Sequence, residues 1–192
     1  GGGIIITPEQ TRAACDVAHR YGIPIHLDGA RIFNAAIGLG GDVKELVERV
    51  DTVMFCLSKG LSAPIGSLLC GSRPFIENAR RNRRVLGVGS IHKWGIAAAA
   101  GIIALETMVD RLAEDHRRVK MLAEGLGSAL GVQVDLSTVQ TNIVMVDVTP
   151  SGLTGEAFLV ELEKHGVRAS LRGDNVIRLV THRHITDDDV VR

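Results

Sequence analysis

The 192-residue sequence predicts an α/β fold: part of a largely parallel-sheet large domain over residues 1–115, then a small α+β domain over 116–192. Two observations carry this. In the first half, short apolar runs alternate with segments of helical period, the pattern of an α/β layer. After Gly127 the texture changes, and several strand-like segments gather around one helix. Taking the elements in order, Thr7-Pro8-Glu9 opens a helix with a capping hydroxyl, a proline at the first helical position and an acid in the first turn. Its apolar stripe is Ala13, Ala14, Val17, Ala18 and Tyr21, and Gly22 stops it. Ile23 to Leu27 then reads as a short strand ending at Asp28-Gly29. A helical segment over Val43 to Arg49 leads to the apolar strand Thr52 to Leu57, and Ile65 to Gly71 predicts a third. Pro74 to Val85 and Trp94 to about Leu126 read as long helices. In the second domain, Val132 to Leu136, Thr141 to Val148, Val167 to Ser170 and Val176 to Val180 predict strands, with a helix over Gly155 to His165.

Composition narrows the function classes. Lys plus Arg equals Asp plus Glu, 22 against 22, so no global field favours nucleic acid or an anionic membrane. Aromatic residues are 3% of the chain, too few to stack bases. No apolar run approaches the roughly 18 residues of a membrane-spanning helix. Cys15, Cys56 and Cys70 show no ligand spacing, and an odd unpatterned count predicts reduced thiols in a cytoplasmic protein. No metal site is predicted: His182 and His184, like His26-x-Asp28, lack supporting ligands at a useful spacing. The chain opens without Met and closes on Thr186-Asp187-Asp188-Asp189, a helix start with nothing after it, which predicts a piece of a longer protein.

Two stretches carry candidate chemistry. In His26-Leu27-Asp28-Gly29-Ala30-Arg31, a strand period of two puts His26 and Asp28 on one face, with Asp28 at the strand's carboxyl end. Ligands of open α/β sheets gather beyond those ends. The plainer reading is an acid that ends a strand and pairs with a nearby arginine. In Ser58-Lys59-Gly60-Leu61-Ser62-Ala63-Pro64, a lysine follows an apolar strand among small residues. That placement predicts a desolvated amine, which loses its charge more easily and attacks carbonyl carbons. The plainer reading is a surface lysine in a turn. Taken together, a lysine that bonds a carbonyl and an aspartate that pairs with a pyridinium nitrogen are the protein groups pyridoxal 5'-phosphate most needs.

The runs "HLDGARIFNA" and "FCLSKGLSAPIGSLLCG" resemble the signature of low-specificity L-threonine aldolases, in the aspartate-aminotransferase-like fold (fold type I). The similarity extends from "GGGIIITPEQ" through "ENARRNRR", "AAAAGIIALE" and "TNIVMVDV" to "IRLVTHRHIT". It implies a pyridoxal-phosphate-dependent carbon–carbon lyase that cleaves L-threonine or L-allo-threonine to glycine and acetaldehyde, working as a homo-oligomer. By position, it implies that Lys59 bonds the cofactor and Asp28 contacts its ring nitrogen. His26 either touches the cofactor or supports the aspartate. Arg31 and Arg178 hold the substrate carboxylate, for which a guanidinium fork is suited. The resemblance departs at Gly87 to Gly95, where the family's Met-Arg-Gln is replaced and its arginine position holds His92. The glycine/threonine cup for the phosphate and the histidine stacked on the ring have no counterpart in these residues.

Two rival functions remain open on the sequence: another pyridoxal-phosphate reaction, such as β-elimination or transamination, and a non-catalytic fragment that retains the fold. Arg73, Arg80, Arg81, Arg83 and Arg84 make a basic helix. Without net charge or interleaved aromatics, it reads as a solvated or intersubunit face rather than a nucleic-acid surface.

Overall fold

The computed structural model describes residues 2–87 and 94–192, which fall into two compact units. One is Ile6–Arg111; the other joins Gly1–Ile5 to Leu112–Arg192. The Ser90-Ile91-His92-Lys93 departure lies outside the described residues.

The first unit opens with helix α1, Pro8–Arg20. Thr7 accepts from the Gln10 N–H while the Gln10 side chain accepts from the Thr7 N–H, satisfying two donors that a helix end otherwise leaves open. Strand β1 is His26–Asp28, helix α2 is Ile32–Leu39, and β2 is Thr52–Cys56. Strand β3, Ser67–Gly71, precedes helix α3, Arg73–Val85, and helix α4, Trp94–Thr107. The sheet order is β1-β2-β3. β1 runs parallel to β2, with Asp28 opposite Met54, whereas β3 is antiparallel to β2. A parallel sheet with one antiparallel strand is a common mixed form. Its small core joins Ile32, Ala36 and Leu46 to Leu27, Val53 and Phe55, with Phe33 edge-on to Phe55. α1 is fastened beside this sheet: Asp51 Oδ2 accepts from the Ile25 N–H at 2.7 Å and meets His19 Nε2 at 2.9 Å.

The second unit contains helix α5, Leu112–Gly127, strand β4, Ile143–Asp147, and helix α6, Gly155–Lys164. Strands β5, Ser170–Leu171, and β6, Val176–Val180, complete an antiparallel sheet in the order β4-β6-β5, followed by helix α7, Asp187–Val191. Val119 and Ala123 of α5 bury against Val144, Val146 and Ile177, which alternate to one face of the sheet. Thr181 Oγ1 donates to the Asp115 carbonyl and the Asn142 amide donates to the Thr181 carbonyl, which pairs these buried groups beside the core. The buried His116 imidazole is pushed down to about 4 by desolvation and then by Lys120, and is neutral near pH 7.

Several expectations from the sequence need correction. Trp94 to Leu126 is two helices, not one. Helical bonding ends where the Met108 N–H reaches the Ala104 carbonyl, and Leu112, fully buried, begins the packing of the other unit. One straight helix cannot turn a single apolar stripe to two cores. Val43 to Arg49 contracts to a 3-10 turn at Glu45–Val47, where only Leu46 is buried. Val132 to Leu136 contributes only a bridge, Gln133 to Asp147, before a 3-10 turn at Leu136–Thr138. The Val167 to Ser170 strand is displaced to Ser170–Leu171.

Candidate active site

Because β1 and β2 are parallel, their carboxyl ends emerge on the same edge of the sheet, and adjacent strands lie about 4.8 Å apart. Asp28 is the last residue of β1, and Lys59 lies three residues beyond the end of β2. The topology therefore brings the two sequence candidates to one edge. Asp28 is exposed there. Its Oδ1 accepts from the Ala30 N–H at 3.1 Å, and its second oxygen has no hydrogen-bond partner among the described residues. One oxygen is thus fixed by the turn, while the other is left for a donor such as a ring N–H.

Gly29 makes this turn possible. Its N–H donates to the Met54 carbonyl at 2.9 Å, so the chain stays close against β2 as it leaves β1. A Cβ at Gly29 would lie 2.9 Å from that oxygen and 3.2 Å from both Ile32 Cβ and Val53 Cγ2. Gly29→Ala is therefore expected to cost about 1–3 kcal/mol through overpacking. Differential scanning calorimetry should show a lower Tm; an unchanged Tm would mean that the approach at Gly29 is looser than described.

The Lys59 loop is held by its backbone. The Leu57 N–H donates to the Gly66 carbonyl, the Ala63 N–H to the Leu57 carbonyl, and the Ser62 N–H to the Lys59 carbonyl at 2.9 Å. Leu57, Gly60, Leu61 and Ala63 are buried. Ser62 sits at φ 61°, a left-handed conformation uncommon for a residue other than glycine. Such strain persists only where the surroundings enforce it, and it concentrates at functional loops. Gly101 of α4 supports the loop from behind, where a Cβ would meet Leu57 Cδ1 at 2.9 Å. The expectation of a desolvated lysine is corrected: Lys59 is exposed. The loop spends its burial on the apolar neighbours and turns Ser58 and Lys59 outward.

His26 Nδ1 meets Thr52 Oγ1 at 2.8 Å, which ties the imidazole across the parallel pair on the face it shares with Asp28. Arg31 is the residue before α2, half-buried, and its carbonyl accepts from the Ala35 N–H.

Arg178 lies in the other unit, at the centre of β6, the middle strand. It pairs with Met145 on one side and Ser170 on the other. Its Nε is buried without a hydrogen-bond partner. Burial first, and then the neighbouring Arg172 charge, lower its pKa from the ordinary arginine value. A buried guanidinium N–H lacking a partner is costly, and a carboxylate is its natural complement. Sequence alone could place Arg178 on a strand but carried no signal of this open donor. No group of three or more potential metal ligands occurs among the described residues.

The beta-eliminating lyase family model matches residues 1–149, and the chain belongs to that family. It is 41% identical over 190 residues to low-specificity L-threonine aldolase 1 of Arabidopsis thaliana, covering 98% of this chain and 53% of that protein. It is 37% identical over 188 residues to the low specificity L-threonine aldolase of Escherichia coli K12, covering 98% and 54%. A solved threonine aldolase structure from Leishmania major superposes with a TM-score of 0.71 at 15% identity, covering 96% of this chain and 54% of that one. That likeness establishes the fold. The chain spans about half the length of the curated relatives it matches.

Proposed function

We propose that this chain serves a pyridoxal-phosphate-dependent lyase that cleaves L-threonine or L-allo-threonine at the Cα–Cβ bond, giving glycine and acetaldehyde. The observation that supports it is the position of Asp28 and Lys59 at the carboxyl ends of adjacent parallel strands, in a chain of this family whose relatives include named threonine aldolases. When bound, the cofactor supplies an electron sink conjugated to the substrate α-carbon. Lys59 Nζ would be the group that holds the cofactor, through the cofactor's aldehyde carbon. Asp28 holds a proton at the pyridine nitrogen, using the oxygen that the turn leaves open. His26, steadied by Thr52, lies on the same strand face and contacts the cofactor. Residues 1–115 carry these cofactor groups, and the domain over 116–192 brings Arg178.

Arg31 and Arg178 serve the substrate α-carboxylate, and the open Nε of Arg178 supports this assignment. A substrate carboxylate held by such a fork would have its orientation fixed at the site. The working protein is a cytoplasmic homo-oligomer acting on a small amino acid rather than on nucleic acid or membrane. No helix among the described residues is long and apolar enough to cross a membrane.

The test is release of acetaldehyde and glycine from L-threonine and L-allo-threonine by the full-length protein with added cofactor. Release of ammonia and a keto acid instead would favour β-elimination, the reaction that gives the family its description. Replacing Arg31 or Arg178 by Lys should raise KM for threonine by roughly tenfold or more, since an ammonium cannot present two parallel donors. Unchanged steady-state kinetics in both variants would remove the carboxylate role.

A further inference from the structure

The cationic character of the second unit's sheet extends beyond Arg178. In the β4-β6-β5 sheet, Val144, Val146, Ile177, Leu179 and Leu171 face the helices, so Met145, Arg178 and Ser170 share the opposite face. The Arg172 N–H donates to the Val176 carbonyl at 2.6 Å, continuing the β5–β6 ladder by one residue. Side chains alternate along a strand, so Arg172 lies on the Ser170 and Arg178 face, at the diagonal position to Arg178. Its charge already acts on Arg178. Neither arginine has a carboxylate partner within the described residues. Asp147 is the acid on this face, but its Oδ1 accepts from the Thr149 N–H at 2.8 Å. Two guanidinium groups therefore share one face with no carboxylate in ion-pair contact among the described residues, one of them with a buried N–H unpartnered.

We infer that Arg172 and Arg178 form a twin-cation site that prefers dianionic carboxylates to monocarboxylates, with Arg172 as its specificity-determining residue. This rests on the reading that Arg178 receives the substrate carboxylate. Arg178 provides the directional fork, and the exposed Arg172 adds a second positive charge to which a second carboxylate responds. The substrate class it adds to threonine is a β-hydroxy amino acid with an acidic side chain.

The test is an NMR titration of the full chain, following the arginine Nε–H resonances with acetate and with malonate at matched ionic strength. Malonate is expected to bind about three- to tenfold more tightly than acetate, the gain from one additional partly screened charge. In Arg172→Gln the ratio should fall to about one with acetate binding retained, whereas Arg172→Lys should keep the preference. Added KCl should erode it in the unaltered protein, which supplies a readout independent of any variant. Equal affinities in the unaltered protein, or a ratio that survives Arg172→Gln, would overturn the role of Arg172. Absence of any Arg178 response to acetate would instead overturn the carboxylate assignment of Arg178.

Discussion

Lys59→Ala is expected to abolish cofactor-dependent turnover, by at least roughly 10³-fold in kcat, because alanine offers no primary amine to bond the cofactor's aldehyde. The loop should survive the change. Its closing bonds run through the Leu57, Lys59, Ala63 and Gly66 backbone, and its buried anchors are Leu57, Leu61 and Ala63. Lys59→Arg separates charge from bonding: the guanidinium retains the positive charge but does not bond the aldehyde under these conditions. Both variants should lose turnover alike, with unchanged circular dichroism. Substantial activity in Lys59→Arg would mean that Lys59 acts only as a local cation.

Asp28→Asn should lower turnover by at least about a hundredfold, corresponding to about 3 kcal/mol, through loss of the charge that pairs with the ring nitrogen. The substitution is structurally mild. The asparagine side-chain oxygen can still accept from the Ala30 N–H, so the turn at Gly29 is preserved. What is lost is the charge that keeps the ring nitrogen protonated. Steady-state assays should therefore show a fall in kcat with little change in Tm. Near-normal kcat would remove Asp28 as the partner of the ring nitrogen.

The sequence disclosed features whose cause is local. Thr7-Pro8 and Thr186 with Asp189 fold as the helix caps their spacing predicts, since a capping box needs only four residues. Val176 to Val180 is a strand over its predicted span, and its neighbour β4 follows from the apolar run that begins near Thr141. Features decided by distant packing were less legible. The nearly continuous apolar run Ile32 to Leu39 carries no clear period, yet it is a helix because Ile32 and Ala36 find Leu46 and the β1–β2 pair. The break after Thr107 is set by which core Leu112 joins. The Lys59 sequence suggested an interior amine, whereas Leu57, Gly60 and Leu61 take the buried positions of the loop and Lys59 is left exposed. Likewise, the unpartnered Arg178 Nε emerges only when β4 and β5 close around β6.

Lys59, which follows the strand adjacent to that of Asp28, is the residue proposed to bond the cofactor. Borohydride reduction of the cofactor-loaded protein, followed by proteolysis and mass spectrometry, tests it directly. The pyridoxyl label is predicted on the peptide containing Ser58-Lys59-Gly60; a label on Lys44, Lys93, Lys120 or Lys164 instead would contradict the account.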